Sequence, residues 1–307
     1  MFQSIWEDVK REFNYGNMVT RLIIINAAVF VLVNIVRLIL VVTTGWQGDG
    51  GFEAFTRFFS LSSDWWYNLT HPWVIITSMF LHVGFFHFLF NMLFMYWFGR
   101  IVGDLLGNHR ILPLYILGGL AGAALYLLFA QFIYGIDGYA YGASAAVMAI
   151  VVAAGMIAPD YIMHVLFIGA VRLKYIVAVL VFLDVIGLGS MSNTGGHLAH
   201  LGGAIFGALF VSRIQKGDDW SIGVNKFFDW LGSAFAGLFK NDPKRPKVVY
   251  RNPKAPRTRA KGDRRTDGER SASHQEKLDA ILDKIKRSGY ESLTEEEKEF
   301  LFNASKK

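Results

Sequence analysis

The sequence predicts an all-α polytopic membrane protein, a bundle of six transmembrane helices followed by a small C-terminal helical hairpin. Two observations predict this class. Of the 307 residues, 53% are hydrophobic and only 18% are charged, and long apolar runs recur between residues 20 and 213. Most of the charge lies in residues 214–307. A soluble globular enzyme is therefore not the expected class, and the chain divides into a membrane domain and a polar tail.

Cysteine is absent from the chain. This absence excludes a disulfide scaffold, cysteine-ligated zinc, iron–sulfur clusters and thiol nucleophiles. Any chemistry must come from hydroxyls, imidazoles and carboxylates, and we expect neither a cofactor nor a resident metal.

The membrane domain is expected at residues 21–213. Residues 1–20 mix acids, bases and aromatics, which is typical of an interfacial segment and not of a cleaved signal peptide. Residues 45–72 are rich in Phe and Trp, as expected for a structure half-sunk in the membrane interface. The six spans are predicted at residues 22–43, 83–102, 111–134, 142–158, 173–188 and 197–211.

The distribution of basic residues predicts the orientation. Lys and Arg are concentrated in the short flanks on one side of the bundle, whereas the opposite loops carry only Arg57. The positive-inside rule then places both termini in the cytoplasm of a cell whose inner membrane the protein spans. The starts of spans two, four and six meet at the outer face. The basic flanking residues are Lys10, Arg11, Arg21, Arg100, Arg110, Arg172, Lys174, Arg213 and Lys216.

The tail is expected to contain three parts. Residues 220–240 carry apolar side chains at helical spacing and predict an amphipathic helix on the inner leaflet. Residues 241–273 hold 11 basic and 4 acidic residues. This composition predicts a flexible linker that contacts anionic lipid headgroups. Nucleic acid is not an expected partner, since aromatic stacking residues are nearly missing there.

The last part, residues 274–307, is predicted to be a helical hairpin. Gly289 breaks its first amphipathic helix, and Thr294 with Glu297 has the spacing of a capping box for the second. A unit of this size is too small to be an enzyme. Two interpretations stay open, a docking site for a cytoplasmic partner and a tethered accessory domain without a catalytic role.

Placing a polar residue within a membrane span costs free energy, so the polar residues of the predicted spans are candidates for function. In span two, His87 and Asn91 are four residues apart and lie on one helix face. They could form a functional pair or only an interhelical polar clamp. His82 lies about 140° around a regular helix from His87, so it is expected to bond backbone and tether a loop instead.

Ser144 lies near the start of span four. This span is short for a bilayer, so one end is expected below the membrane surface. Free backbone N–H groups and the dipole at a helix N-terminus stabilise a developing oxyanion, which serine attack on a carbonyl generates. The alternative is a serine that bonds back to its own helix.

Span six carries a small-residue face with Gly203 and Gly207, and His200 lies close to that face. Span four offers Ala145, Ala149 and Ala153 at a spacing of four. Close contact of these two faces would bring the hydroxyl of span four within reach of a histidine that acts as general base.

Three motifs in this order resemble the rhomboid family of intramembrane serine proteases, in its bacterial type with a C-terminal cytoplasmic extension. They are HVGFFHFLFN at residues 82–91, GASA at 142–145 and AHLGGAIFG at 199–207. The resemblance covers about residues 70–213 and implies a rhomboid-like bundle of six helices.

The resemblance implies roles for individual residues. Ser144 matches the family's nucleophile and His200 its general base, a pair that works without an aspartate. His87, Asn91 and the backbone N–H of Ser144 match the oxyanion site. Asp184 resembles an aspartate of the fifth helix in some relatives and is expected to be structural.

Four further residues are expected to support the site. His82 matches a histidine that supports the loop above the nucleophile, and Gly142 belongs to the serine motif. His197 lies three residues before the base and is an alternative to it, although the AHLGG motif fits His200 better. Met148 stands one turn below the serine, where some relatives place an aromatic ring under the histidine.

The expected function is therefore hydrolysis of peptide bonds in transmembrane protein substrates, in a wet cavity gated by the fifth helix. A catalytically inactive rhomboid-like protein that binds transmembrane helices is the main alternative. A zinc or proton pathway is a third interpretation, disfavoured because paired carboxylates are few and HExxH is absent. It would use His82, His87, His164, His197 and His200.

Overall fold

The computed structural model describes residues 2–44, 50–129, 135, 138–190, 193–239 and 266–304. The chain divides into two compact units, residues 1–240 and residues 241–307. In the first unit the predicted all-α membrane bundle is confirmed. Its helices are α1 (Phe2–Tyr15), α2 (Met18–Thr43), α3 (Gly50–Phe59), α4 (Trp65–Thr70), α5 (Val74–Thr77), α6 (Phe85–Leu106), α7 (Ile111–Phe129), α8 (Ser144–Ile157), α9 (Leu173–Gly187), α10 (Thr194–Gln215) and α11 (Ser221–Phe239).

Each of the six predicted spans corresponds to one helix, namely α2, α6, α7, α8, α9 and α10. In the part of the chain that the structure describes, four helices are long and apolar enough to cross a membrane: α2, α6, α10 and the stretch Asn108–Phe129 that contains α7. Helix α8 is apolar but has only 14 residues. It is therefore about 21 Å long and shorter than a bilayer's hydrocarbon layer.

Helix α2 begins at Met18, inside the segment that was expected to precede the membrane domain. The reason is a helix cap. The side chain of Asn17 accepts a hydrogen bond from the backbone N–H of Thr20 at 2.9 Å, which satisfies one of the free donors of the first turn.

Helix α8 lies at the centre of the bundle and contacts α6, α7, α9 and α10. Its small residues allow α10 to approach very closely. A Cβ atom added to Gly203 would overlap the carbonyl oxygen of Ala145, and one added to Gly207 would overlap that of Ala149. The predicted contact between the small-residue faces of spans four and six is confirmed.

The region 45–72, expected at the membrane interface, contains helices α3 and α4. Strand β1 (Leu61–Ser62) follows α3 and pairs antiparallel with β2 (Tyr139–Ala140), the strand just before α8. The backbone N–H of Ser63 also donates to the carbonyl of Gly138 at 2.9 Å. This region is therefore joined to the segment that leads into α8.

A β-hairpin that the sequence analysis did not predict connects α8 and α9. It consists of β3 (Ile162–Val165) and β4 (Gly169–Arg172), paired antiparallel. Phe167 in the turn and Gly169 at the start of β4 both have positive φ. His164 belongs to β3 and lies outside the bundle's helices, so it does not join the other histidines.

Helix α11 occupies the predicted amphipathic segment 220–240 and is anchored to the bundle by polar contacts. Asp219, just before α11, forms an ion pair with Arg110 at 2.6 Å, and the Asn225 side chain donates to the carbonyl of His109 at 3.0 Å. Large apolar side chains of α11 remain exposed, including Phe227 and Trp230. This exposure is what an interfacial helix requires.

The second unit contains α12 (Thr266–Ser288) and α13 (Glu295–Ala304). The predicted break at Gly289, which has a φ of 77°, is confirmed. The capping box is confirmed as well, since the Thr294 N–H donates to the Glu297 carboxylate at 2.8 Å and the Glu297 N–H to the Thr294 hydroxyl at 3.3 Å.

Helix α12 begins at Thr266, earlier than the boundary expected at residue 274. Thr266 and Glu269 have the Thr-x-x-Glu spacing that starts helices, and this signal was overlooked in the basic segment. The rest of the predicted linker, residues 241–265, lies outside the described residues.

Candidate active site

Ser144 is the first residue of α8. The first intrahelical hydrogen bond of α8 joins the N–H of Val147 to the carbonyl of Ala143 at 2.8 Å. The N–H groups of Ser144, Ala145 and Ala146 therefore precede the hydrogen-bonded ladder. The predicted position of Ser144 at a helix N-terminus, beside backbone donors and the positive end of the dipole, is confirmed.

His82 holds the segment before α8. The backbone N–H of Ala143 donates to His82 Nε2 at 3.2 Å. Nδ1 then carries the proton and donates to the carbonyl of Phe80 at 3.2 Å. The side chain is fully buried. His82 therefore tethers backbone, as expected.

His82 also contacts His87, with ring centroids 5.2 Å apart. The angle of about 140° between them holds only on a regular helix that includes both residues. Because α6 begins at Phe85, that angle does not apply to His82, and the two rings can meet.

His87 lies directly over Gly142. A Cβ atom at Gly142 would be 2.5 Å from Cε1 and 2.9 Å from Nε2 of the His87 imidazole. Gly142 also has a φ of 125°, which other residues rarely adopt. Only glycine therefore lets this imidazole reach the start of α8.

Asn91 lies one turn after His87 on α6. Its side-chain amide donates to the His87 carbonyl at 2.7 Å, which holds the amide on the face that it shares with His87. The predicted placement of both side chains on one helix face is confirmed by their common position in the cavity described below.

A cavity of about 740 Å³ brings the predicted residues together. Its walls come from α6, α7, α8, α10 and the segments before α8 and α10. Ser144 and His200 line it together with His87, Asn91 and Gly142. These side chains therefore face one common space at the end of the bundle where α6, α8 and α10 begin.

A second cavity of about 230 Å³ lies between α6, α8 and α9. Ser144, Asn91 and His200 reach it as well, and so does Met148. Its other walls are mainly apolar and are formed by Phe90, Phe94, Val147, Val151, Leu180 and Leu183, with Asp184 beside them. The serine is thus accessible from two sides.

Asp184 of α9 belongs to the site, although the resemblance led us to expect only a structural role for it. One of its carboxylate oxygens accepts hydrogen bonds from His200 Nδ1 and from His197 Nδ1, each at 2.8 Å. The expectation that the base has no aspartate beside it is therefore wrong in this structure. The sequence signal that could have identified Asp184 as a site residue is its charged side chain within predicted span five.

His197 and His200 occupy different places although they lie one turn apart on α10. His200 lines both cavities, whereas His197 lines neither of them. The His197 ring packs against Gly187 of α9, where a Cβ atom would overlap it. Of the two histidines, His200 is thus the one that shares a space with Ser144.

Tyr126 is a second residue that sequence reasoning missed. It lines the larger cavity, is almost fully buried, and its hydroxyl donates to the Gly138 carbonyl at 3.0 Å. This contact joins α7 to the residue just before β2, in the segment that leads into α8. A tyrosine within an apolar span was the signal that could have identified it.

Asp184, His197 and His200 are also the group, among the described residues, that could hold a metal ion, since their donor atoms lie within 4.8 Å of one another. The distances from each imidazole to the carboxylate are those of hydrogen bonds. Three protein ligands with one open position would suit zinc.

Comparisons with known proteins agree with the motifs. Residues 69–215 match the family model of the Rhomboid domain, and residues 263–307 match a family of unknown function (DUF6576). RHOMBOID-like protein 12, mitochondrial, of Arabidopsis thaliana is 28% identical over 156 residues, which cover 47% of this chain and 46% of that protein. Presenilin-associated rhomboid-like protein A, mitochondrial, of Danio rerio is 28% identical over 139 residues, which cover 45% and 36%.

The fold and the shared cavity define a multi-pass membrane protein in which a serine and a histidine line one cavity at the end of the bundle. The chain carries a rhomboid domain, so the family predicted from the three motifs is confirmed. The matches span less than half the length of these two curated relatives.

Proposed function

We propose that the protein is an intramembrane serine endopeptidase that hydrolyses peptide bonds of transmembrane protein substrates. The observation that carries this proposal is the common cavity of Ser144 and His200, with two candidate oxyanion donors on its wall. A hydroxyl becomes a useful nucleophile only beside a base that takes its proton.

In the proposed reaction, Ser144 Oγ attacks the carbonyl carbon of the scissile bond while His200 takes the hydroxyl proton. His200 then gives this proton to the leaving amine as the C–N bond breaks, which leaves an acyl-enzyme. Water then enters through the cavity and attacks the ester carbonyl while His200 takes one of its protons. The acyl C–Oγ bond breaks, His200 returns the proton to Ser144 Oγ, and the carboxylic acid is released.

The oxyanion formed at each attack would be stabilised by three groups. Asn91 and His87 contribute side-chain N–H groups from α6, and Ser144 contributes its own backbone N–H at the start of α8. Since His87 and Ser144 are positioned by Gly142 and His82, these donors are fixed before substrate arrives, which is the condition for effective electrostatic stabilisation.

The substrate would approach from the lipid side between α6 and α9. The smaller cavity opens the serine to this side, and most of its lining side chains are apolar, as a transmembrane segment requires. Helix α9 would act as the gate, and the larger cavity, which His87 and Asn91 line, would supply water. This arrangement makes membrane lipids a second partner of the domain.

The proposed setting is a cell's inner membrane with both termini in the cytoplasm. At the bundle end remote from Ser144, the start of α2, the segment before α7 and the segment before α11 meet through polar contacts. The N–H of Met18 donates to the Asn108 side chain at 2.6 Å, and Arg110 pairs with Asp219. The positive-inside rule places this end in the cytoplasm and the serine near the outer face.

The test is cleavage of a purified transmembrane reporter in liposomes, followed by terminal sequencing of the products. The unchanged protein is expected to produce one pair of new termini within or near the span. Ser144→Ala removes only the hydroxyl and should abolish these products. Ser212→Ala is the matched control, because Ser212 bonds to the Ala208 carbonyl of its own helix and lines neither cavity. Full cleavage by Ser144→Ala would refute the assignment.

A catalytically inactive protein that binds transmembrane helices is the second candidate, and the relatives' printed names call them rhomboid-like without stating an enzymatic activity. It predicts that the reporter co-purifies with the unchanged protein and stays intact. The presence of both serine and histidine on one cavity favours the protease.

The C-terminal unit would bind a cytoplasmic partner or remain a tethered accessory domain. Its surface offers Leu282 and Tyr290, both about half exposed, as apolar contacts. No nucleic acid is proposed as a partner.

A further inference from the structure

We propose that Asp184 is a positioning residue for the general base, and this inference rests on the proposed function. Its carboxylate keeps the proton of His200 on Nδ1, so that Nε2 is the unprotonated nitrogen available to Ser144. The protein would then use a serine–histidine–aspartate chain in place of a pair.

The hydrogen bonds define the tautomer. Asp184 accepts at 2.8 Å from His200 Nδ1, and an ionised carboxylate can only accept. The neutral imidazole has one proton, and this contact assigns that proton to Nδ1. Nε2 is left with the lone pair that a general base requires. In serine proteases a buried aspartate performs this same task for the histidine.

His197 explains how the carboxylate itself is held. It donates from Nδ1 to the same oxygen, also at 2.8 Å, and its ring is confined by Gly187 on α9. His197 therefore fixes the Asp184 carboxylate by a hydrogen bond on the side away from the cavities. On the cavity side, the same carboxylate accepts the hydrogen bond that orients His200. The side chain is buried, with 8% of it exposed, so water competes little for these bonds.

The three residues also connect two helices. Asp184 lies on α9, and both histidines lie on α10. Each bond that orients the base is thus also a bond between these helices. Displacement of α9 at this level would release His200, so the orientation of the base depends on the position of α9.

The first measurement is the tautomer of His200, read from ¹⁵N NMR shifts of histidine-labelled full-length protein in micelles. The Ser144→Ala background keeps the sample intact, and His197→Gln and His200→Gln assign the signals. We expect His200 with its proton on Nδ1. A proton on Nε2 in the otherwise unchanged protein overturns the proposal, whether or not any variant folds.

The second measurement is steady-state cleavage by Asp184→Asn. Loss of the charge should lower kcat on the order of 10²- to 10⁴-fold with little change in KM, and should remove the Nδ1–H signal of His200. Asp160→Asn is the matched control, since this exposed carboxylate pairs with Lys174 and Arg172 at the start of α9, at the opposite end of that helix from Asp184. Unchanged kcat in Asp184→Asn overturns the proposal.

The outcomes separate this inference from the proposed function. Cleavage by Ser144→Ala refutes the protease, while the tautomer still reports on Asp184. An inactive Ser144→Ala together with a His200 proton on Nε2 supports the protease and refutes the role of Asp184. One bound zinc per purified chain also refutes that role, because both Nδ1 atoms would then be metal ligands.

Discussion

Helices α10 and α9 flank the same serine but are attached to the bundle in different ways. Gly203 and Gly207 of α10 lie directly on backbone carbonyls of α8, with no side chain between the two helices. Helix α9 buries little, and side chains such as Phe182 and Leu183 are more than half exposed. At the level of the site, α9 is held to α10 by the hydrogen bonds of Asp184.

The difference indicates which part of the site is rigid and which part can move. The serine and the histidine lie on two helices that cannot separate without losing a close-packed contact. The helix that bounds the smaller cavity has few buried contacts, which is typical of elements that move during function. The proposed gate therefore lies where opening costs least.

The tight contact is tested by Gly203→Ala, which we expect to have the largest effect. The added methyl would overlap the Ala145 carbonyl, so α10 must shift away from α8. Overpacking of this kind costs about 1–3 kcal/mol of unfolding free energy, and the shift should abolish reporter cleavage. Unfolding in mixed micelles and the cleavage assay measure the two effects.

Gly232→Ala in α11 is the control for this prediction. A Cβ atom there has no neighbour within 4 Å, so the same substitution should leave cleavage unchanged and stabilise the helix slightly. Normal stability and activity of Gly203→Ala would contradict the close contact between α8 and α10.

Asn91→Ala tests the chemistry of the cavity while the α8–α10 contact stays intact. Removal of one oxyanion donor should lower kcat on the order of 10²- to 10³-fold. The control is Asn34→Ala in α2, because Asn34 makes the same kind of bond to its own helix, to the Phe30 carbonyl at 2.9 Å. Equal activities of the two variants in the reporter assay would refute the assignment of Asn91 as an oxyanion donor.

Asp219→Asn tests how the segment before α11 is joined to the start of α7, with a small effect that depends on pH. Burial acts to raise the pKa of the Asp219 carboxyl, but hydrogen bonds from Arg110 hold it below its ordinary value of 3.8. A lowered pKa in the folded state contributes stability above pH 3.8 that is lost as the pH falls through the folded-state pKa.

We therefore expect Asp219→Asn to be less stable at neutral pH, by about 1 kcal/mol or less, and to match the unchanged protein in strong acid. Unfolding curves in micelles between neutral pH and about pH 3 measure this difference. Asp218→Asn is the control, because its pair with Arg213, at 3.6 Å, is half exposed. A stability difference between Asp219→Asn and the unchanged protein that increases as the pH falls would contradict the lowered pKa of Asp219.

Deletion of residues 241–307 is expected to have the smallest effect on catalysis. All residues of the candidate site belong to the unit formed by residues 1–240. The truncated protein should cleave the reporter in detergent at the rate of the full chain. A large loss of kcat would assign the C-terminal unit a direct part in the reaction.

Much of the closely packed part of the site, formed by α8 and α10, could be predicted from the sequence. Ala145 and Ala149 on one helix and Gly203 and Gly207 on another have a spacing of four, which defines a face without knowledge of the fold. The position of Ser144 followed from its place at the start of a short span. These are local regularities of single helices, and such regularities are visible in a sequence.

The placement of Asp184 beside His200 and of His82 beside His87 could not be predicted, because it depends on which side chains meet across separate segments. No periodic rule relates Asp184 to His200, since a chain reversal separates α9 from α10. The meeting of His82 with His87 depended on where α6 begins, and helix boundaries are poorly defined by sequence alone. The β-hairpin before α9 is short, and its turn has no Asn-Gly or Asp-Gly pair.

The central claim is that the Ser144 hydroxyl is activated by a histidine that shares its cavity. A fluorophosphonate probe tests this claim most directly, because it forms a covalent bond only with an activated serine. Mass spectrometry of the labelled full-length protein in micelles should locate one adduct on Ser144, and His200→Ala should remove it. No adduct on Ser144, or equal labelling in His200→Ala, would contradict the account.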